Sequence, residues 1–167
     1  MLTPSQMKAV EPKIRLLQVI AAALIMGVLA CGMVFAILVD WNLVNTKLGL
    51  LVILGAVIAA VLASIGIWLP HLTQAPVENL RANQVTSVPQ DAWLEMGMHQ
   101  YQTISIVRFA LFEGAAFLNF VVFLIEQSLP AMIVSLLMVV LMIWLFPRAS
   151  MVYAWLEKNL PDPVEDR

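Results

Sequence analysis

The apolar residues of this chain are gathered into four long blocks with short polar segments between them. The blocks cover residues 16–39, 48–69, 104–125 and 129–146. A helix needs about 20 apolar residues to cross the roughly 30 Å of hydrocarbon in a bilayer. None of the blocks has the polar face that a water-facing helix requires. The pattern therefore predicts an all-α integral membrane protein with four transmembrane helices, arranged as two tandem hairpins.

The polar segments predict short turns at one side of the membrane and a longer loop at the other. The turns at 40–47 and 126–128 are too short to hold a folded domain, whereas the central loop extends over 70–103. Asp91 in this loop is suited to cap a helix, which predicts a short interfacial helix leading into the third span. Residues 147–167 predict a second short amphipathic helix on the membrane surface, followed by an acidic tail.

Composition favours a single membrane domain over residues 1–167. Hydrophobic residues make up 62% of the chain and charged residues only 12%, whereas a soluble domain is about a quarter charged. The net charge is −2 and the basic residues are scattered, so we expect no nucleic-acid partner. The lipid bilayer is the predicted partner.

The Lys and Arg residues predict the orientation of the chain. All of them except Lys47 fall on the side of the two termini and the central loop. An excess of Lys and Arg in short loops is typical of the cytoplasmic side. We therefore expect both termini and the loop 70–103 to be cytoplasmic, in a bacterial inner membrane.

The first block is predicted to be a retained helix rather than a cleaved signal. Basic residues precede it, but its apolar run continues to Val39, which is longer than the signal-peptide core of about 7–15 residues. Cys31 then lies inside the membrane. A lone cysteine there predicts neither a disulfide nor a metal site.

The two predicted hairpins share short similar stretches of sequence, which favour an internal duplication. Ala23–Gly27 in the first block aligns with Ala110–Gly114 in the third, and Ile67–Pro70 at the end of the second block resembles Ile143–Pro147 at the end of the fourth. Both copies run in the same direction. A duplication would therefore be a parallel repeat with its axis along the membrane normal.

Small residues spaced by four predict where the spans pack. Such stripes let helix backbones approach closely in lipid. They are found in the first span (Ala23, Gly27, Cys31), in the second (Gly55, Ala59, Ala63) and in the third (Ala110, Gly114). We therefore expect spans one, two and three to pack against one another and span four to face lipid more.

Glu113 lies near the middle of the third block, where a carboxyl group is unfavourable and by default marks a functional site. In the register of the proposed repeat its counterpart is Met26. Three roles are open for it: a neutral carboxyl donating a hydrogen bond inside the bundle, a contact with another subunit, or a carrier of protons or ions. Its candidate partners on the other spans are Gln18, Ser64 and Ser135.

Two further polar residues of the third block are candidates for a functional or packing role. Arg108 and Glu113 are separated by about 140° around the helix, so no ion pair is expected between them. Arg108 lies close to the boundary and is expected to reach the headgroups as a topology anchor. Asn119 projects to another side and predicts an interhelical hydrogen bond of its own.

The stretch from the second to the third span resembles the proteolipid ring subunit of rotary ATPases. An alanine- and glycine-rich helix is followed by a cytoplasmic loop and then by Ala110–Gly114, which contains Glu113. In that family a carboxylate on the second helix of a hairpin carries protons, which the resemblance implies for Glu113. The dense glycine ladder of the family's first helix is missing and the loop is longer, so we do not assign the chain to it.

The sequence predicts no enzyme and no cofactor. It contains no zinc-protease motif, no glycine-rich phosphate loop and no nucleophile with a base in helical reach. We expect a structural, accessory or complex-forming membrane component, as a homo-oligomer or with a membrane-protein partner. The alternative is a small channel or proton-coupled carrier that uses Glu113.

Overall fold

The computed structural model describes residues 2–72 and 90–159 of the chain. The described part is helical, and its helices are α1 (Pro4–Leu38), α2 (Leu50–Leu72), α3 (Gln90–Glu126), α4 (Leu129–Trp144) and α5 (Ala149–Asn159). The segment 73–89 of the predicted central loop and the predicted tail at 160–167 lie outside the described residues.

Three helices of the described part, α1, α2 and α3, are long and apolar enough to cross a membrane. A fourth span results if α4 and α5 are counted together, although the two helices are bent by 67° relative to each other. By itself α4 has 16 residues and is about 24 Å long, which is short for a bilayer. Within the predicted span 129–146 the helix ends at Trp144.

The first and third helices begin well before their apolar blocks. Thr3 caps α1: its side chain accepts a hydrogen bond from the Gln6 amide while the Gln6 side chain accepts one from the Thr3 amide, and Pro4 begins the helix. The helix α3 is continuous from Gln90 to Glu126. The residues of the predicted interfacial helix leading into span three are thus helical, and they form the first turns of the continuous α3.

The helix α3 is the centre of the bundle and packs against α1, α2, α4 and α5. Its Phe109, Phe112 and Ala116 are in the main core, and α4 contributes Met138 and Met142. By contrast, α1 and α2 touch at most marginally. The expectation that spans one, two and three pack mutually while span four faces lipid is therefore wrong, because α4 is a core helix.

One end of the bundle, called the amino end, holds the starts of α1 and α3 together with α5. Side chains from these three helices form a separate apolar cluster (Leu2, Val10, Ile14, Leu94, Met98, Val152, Leu156). The Gln18 amide donates to the Pro147 carbonyl at 3.0 Å, and Lys13 pairs with Glu95 at 3.0 Å. The predicted amphipathic helix is present as α5, and its apolar face packs on protein.

The opposite end, called the turn end, is held by hydrogen bonds between the two short turns. These are backbone bonds: the Asn45 N–H donates to the Gln127 carbonyl, and the Leu129 N–H donates to the Asn45 carbonyl, both at 2.9 Å. The Glu126 carboxylate accepts from the Leu51 amide at 3.2 Å, at the exposed N-terminus of α2. A carboxylate there complements the helix dipole.

The helices α1 and α3 run in the same direction, as a parallel repeat requires. The Gln102 amide of α3 donates to the Lys13 carbonyl at the amino end, and the rings of Phe35 and Phe120 are 6.1 Å apart near the turn end. The two hairpins nevertheless pack differently, since α3 lies tightly against α4 whereas α1 barely meets α2. The duplication stays a prediction.

Candidate functional site

The three polar residues singled out in the third block have separate surroundings on α3. Along the axis, Glu113 is about 7.5 Å from Arg108 and about 9 Å from Asn119. No ion pair joins Arg108 to Glu113 in the described part of the chain. The structure therefore does not combine these residues into one site, and each has to be considered by itself.

Asn119 is fully buried between α3 and α2. Its Nδ2 donates to the Gly55 carbonyl of α2 at 3.2 Å and to the Ala115 carbonyl one turn earlier at 2.9 Å. Its Oδ1 has no donor, and it lies where a side chain on Gly55 would have to go. The predicted interhelical bond is therefore made to a backbone carbonyl, and the small residue of α2 admits the amide.

The stripe Gly55, Ala59 and Ala63 is buried, as a packing stripe should be. The other two stripes behave differently, since Gly27 of α1 and Gly114 of α3 are exposed and nothing lies within 4 Å of the place where a Cβ would be. A small residue is therefore used for close packing on α2, whereas on α1 and α3 it leaves the surface open.

Glu113 is half-buried. It lies beside Ala110 and Gly114, two exposed small residues that define what we call the open face of α3. It makes no hydrogen bond or ion pair with any described residue. The polar candidates on the other spans bond elsewhere: Gln18 to Pro147, Ser64 to Ala60, and Ser135 to Ala116. The bundle therefore leaves this carboxyl without a partner of its own.

Arg108 lies at the amino end, beside a partly open cavity of about 150 Å³ between the end of α2, α3 and α5. Its Cγ packs near Gly66 of α2, and its Nε is buried without an acceptor. Tyr101 and Ser105 line the cavity from α3, and Trp155 lines it from α5. The ring of Trp155 meets that of Tyr101 edge-on at 5.3 Å between centroids.

This cavity was missed by reasoning from the sequence, although part of its signal was there. Tyr101, Ser105 and Arg108 follow a spacing of four and three, which places them on one helix face. Trp155 is far away along the chain. It reaches the cavity only because the chain turns after α4 and packs α5 against α3.

The described interior is filled mainly by apolar side chains. At the level of Glu113 it is filled by aromatic and small side chains, among them Phe109, Phe112 and Ala116. In residues 2–72 and 90–159 no three His, Cys, Asp or Glu side chains gather in a way that would hold a metal ion. What remains are a carboxyl at the outer surface and a cation at the amino end.

Comparisons with protein-family models, with curated protein sequences and with solved structures gave no match to this chain.

Proposed function

We propose that this protein is a complex-forming component of a membrane, which binds another transmembrane helix on the open face of α3. The observation that carries the proposal is the carboxyl group of Glu113. It is half-buried at the edge of that face and has no partner among the described residues. A carboxyl in hydrocarbon is unfavourable unless it is satisfied by a protein group or water.

The residues next to Glu113 suit the approach of a second helix. Ala110 and Gly114 lie four apart on the exposed side, and the space around Gly114 is open. Helices in lipid associate through close van der Waals packing at such small residues and through interhelical hydrogen bonds. A backbone carbonyl or polar side chain of a partner helix, from a second copy or another protein, would accept a hydrogen bond from neutral Glu113.

The proposal includes a four-span arrangement with both termini in the cytoplasm. Two observations support it: Pro147, after α4, bonds to Gln18 of α1 at the amino end, and the described Lys and Arg residues other than Lys47 belong to that half of the bundle. A short α4 followed by a sharp bend would then complete the fourth crossing.

The alternative, a small channel or proton-coupled carrier using Glu113, lacks a described polar path. Asn119, the next polar side chain of α3, bonds to backbone carbonyls of α2 and α3. The aromatic core fills the interior at the level of Glu113. A carrier would need a route that the partner helix supplies.

Two substitutions on the open face test the proposal, with one matched control. Gly114→Leu fills the space that the partner would occupy, whereas Gly27→Leu places the same side chain in equally open space on α1. We expect Gly114→Leu to lower the yield of the complex recovered from mild detergent about tenfold, for a loss of roughly 1.4 kcal/mol. Gly27→Leu should recover the complex as the wild type does.

Substitutions at Glu113 separate the two functions. Glu113→Gln keeps a hydrogen-bond donor and should preserve the complex, whereas Glu113→Ala should weaken it. As monomers, the two variants should both melt near the wild-type temperature. Recovery of intact complex from both Gly114→Leu and Glu113→Ala would refute the docking face. Loss of pH-dependent proton flux in proteoliposomes of Glu113→Gln, with the complex intact, would favour the carrier.

A further inference from the structure

The cavity at Arg108 is built from side chains that recognise an oxyanion. Its described lining residues include a cation, two hydroxyl groups and apolar or aromatic walls (Pro70, Tyr101, Ile104, Ser105, Arg108, Met151, Trp155), and none of them is acidic. Its volume of about 150 Å³ corresponds to about five water molecules in the liquid. The cavity is therefore large enough for a small polar group.

Arg108 has a buried donor, Nε, that finds no acceptor among the described residues. The described ion pairs join Lys13 to Glu95 and Arg15 to Glu11, so Arg108 has no acidic partner in this part of the chain. A buried charged donor without an acceptor is unfavourable by itself, and an anion bound to the terminal nitrogens of the same guanidinium would offset that cost.

The position of the guanidinium is determined by packing rather than left to solvent. Its aliphatic stem packs beside Gly66 of α2, where a Cβ would lie 3.4 Å from its Cγ, an ordinary van der Waals contact. Tyr101 interacts electrostatically with Arg108 and hydrogen-bonds to Ser105, and all three side chains line the cavity. A planar guanidinium held in place, with hydroxyl donors beside it, is the arrangement that suits a phosphate group.

The surroundings of the cavity match the headgroup region of a bilayer. Tyr101 and Trp155 are aromatic side chains with a polar edge, of the kind that concentrates at membrane interfaces. Arg108 follows the start of the apolar block by only about one turn. Basic pockets between transmembrane helices at this depth are suited to anionic lipid headgroups.

We infer that the Arg108 cavity is a binding site for a phosphate group, delivered by the headgroup of an anionic phospholipid or by a soluble phosphate compound. The guanidinium of Arg108 binds the phosphate oxygens. Tyr101 and Ser105 donate from α3, and Trp155 lines the cavity from α5. The site is separate from the open face of α3 and does not depend on the proposed docking there.

The test measures binding to the full chain, purified in a neutral detergent, by native mass spectrometry and by thermal shift. The probes are phosphatidylglycerol, phosphatidylcholine and inorganic phosphate. The variants are Arg108→Gln and the matched control Arg148→Gln, which removes an exposed arginine at the same end of the bundle. We expect Arg108→Gln to weaken phosphatidylglycerol binding about tenfold or more, since a charged hydrogen bond is lost. Arg148→Gln should stay within about twofold of the wild type.

The three probes identify the source of the phosphate. Binding of phosphatidylglycerol in preference to both other probes, with dependence on Arg108, identifies a lipid site. Binding of inorganic phosphate with the same dependence identifies a site for a soluble phosphate compound. The inference is overturned if Arg108→Gln binds phosphatidylglycerol and phosphate as the wild type does, or if the wild type binds neither in preference to phosphatidylcholine.

A second pair of variants keeps the test decisive if Arg108→Gln does not fold. Arg108→Lys retains the charge but loses the planar donor fork, and Tyr101→Phe removes only a hydroxyl group. Each should weaken binding of the successful probe about threefold to tenfold while the protein elutes as the wild type does in size-exclusion chromatography. Unchanged affinity in both variants would overturn the inference.

Discussion

The helices α1 and α3 are alike in length, with 35 and 37 residues, but have very different surroundings. Both run in the same direction, and both carry an Ala-Leu-x-x-Gly stretch near the middle, at 23–27 and 110–114. Yet 11% of the most apolar stretch of α1 is buried inside the bundle, against 44% for α3. Consequently α3 is the core of the fold, whereas α1 is a peripheral helix with most of its surface open.

The side chains explain this difference better than the hydrophobicity does. The helix α3 buries large flat rings, Phe109, Phe112 and Phe123, whereas α1 exposes flexible side chains such as Met26 and Met33. Rings make many contacts and lose little rotamer freedom when they are packed, so they stabilise a centre. A helix facing lipid needs only to be apolar, so apolar character alone does not tell it from a helix in the core.

The largest expected loss of stability comes from removing a buried side chain of α3. Phe112→Ala removes a fully buried ring of α3 and leaves a cavity among close-packed neighbours, which we expect to lower the free energy of unfolding by about 3 kcal/mol. Met33→Ala on α1, where the side chain is 71% exposed, should change it by less than about 0.5 kcal/mol. Unfolding in mixed micelles measures both, and equal effects would remove the distinction between centre and periphery.

A smaller effect should follow from widening a close helix contact. A Cβ on Gly55 would lie 2.8 Å from Oδ1 of Asn119, so Gly55→Val forces α2 away from α3. We expect a loss of about 2 kcal/mol for this overpacking. Gly27→Val on α1 meets open space and should be close to neutral. The comparison fails if both substitutions lower the melting temperature in mixed micelles to the same extent.

The smallest effect concerns the ends of the two helices. Gln127, after α3, has a φ of 49°, a left-handed conformation that favours glycine, whereas Val39, after α1, is extended with a φ of −80°. Gln127→Gly should therefore stabilise the protein by about 1 kcal/mol. Gln127→Ala removes the same side chain but keeps the Cβ, and should not stabilise it. Thermal unfolding of both variants distinguishes backbone strain from side-chain contacts.

The turn-end boundaries of α1 and α3 were predictable, since the apolar blocks end within one residue of Leu38 and Glu126. At the amino end a helix start near Asp91 was predicted, but its continuity with the third span was not. The start of α1 at Pro4 was not predicted either, because residues 4–15 are an amphipathic stretch that packs with α5. The end of α4 at Trp144 was missed for another reason. The apolar run continues to Phe146, but a residue before a proline avoids the helical conformation.

The candidate residues also divide into features that the sequence predicts and features that only the fold reveals. That Asn119 bonds to another helix was predictable from its position in an apolar block, but its acceptor, the Gly55 carbonyl, was not. That Arg108 and Glu113 do not pair follows from helical geometry alone. The cavity at Arg108 needed α5, which is distant along the chain.

By itself the sequence determined that this is a helical membrane protein, roughly where its helices end at the turns, and that one carboxyl group lies deep in an apolar block. These features depend on local composition and on the length of hydrocarbon that a helix must cross. Only the tertiary structure decided that α3 is the centre and that α1 is peripheral. It also decided that Glu113 has no partner among the described residues and that Arg108 lines a cavity. Lipid and protein interior are both apolar, so a hydrophobic pattern cannot distinguish a helix that faces one from a helix that faces the other.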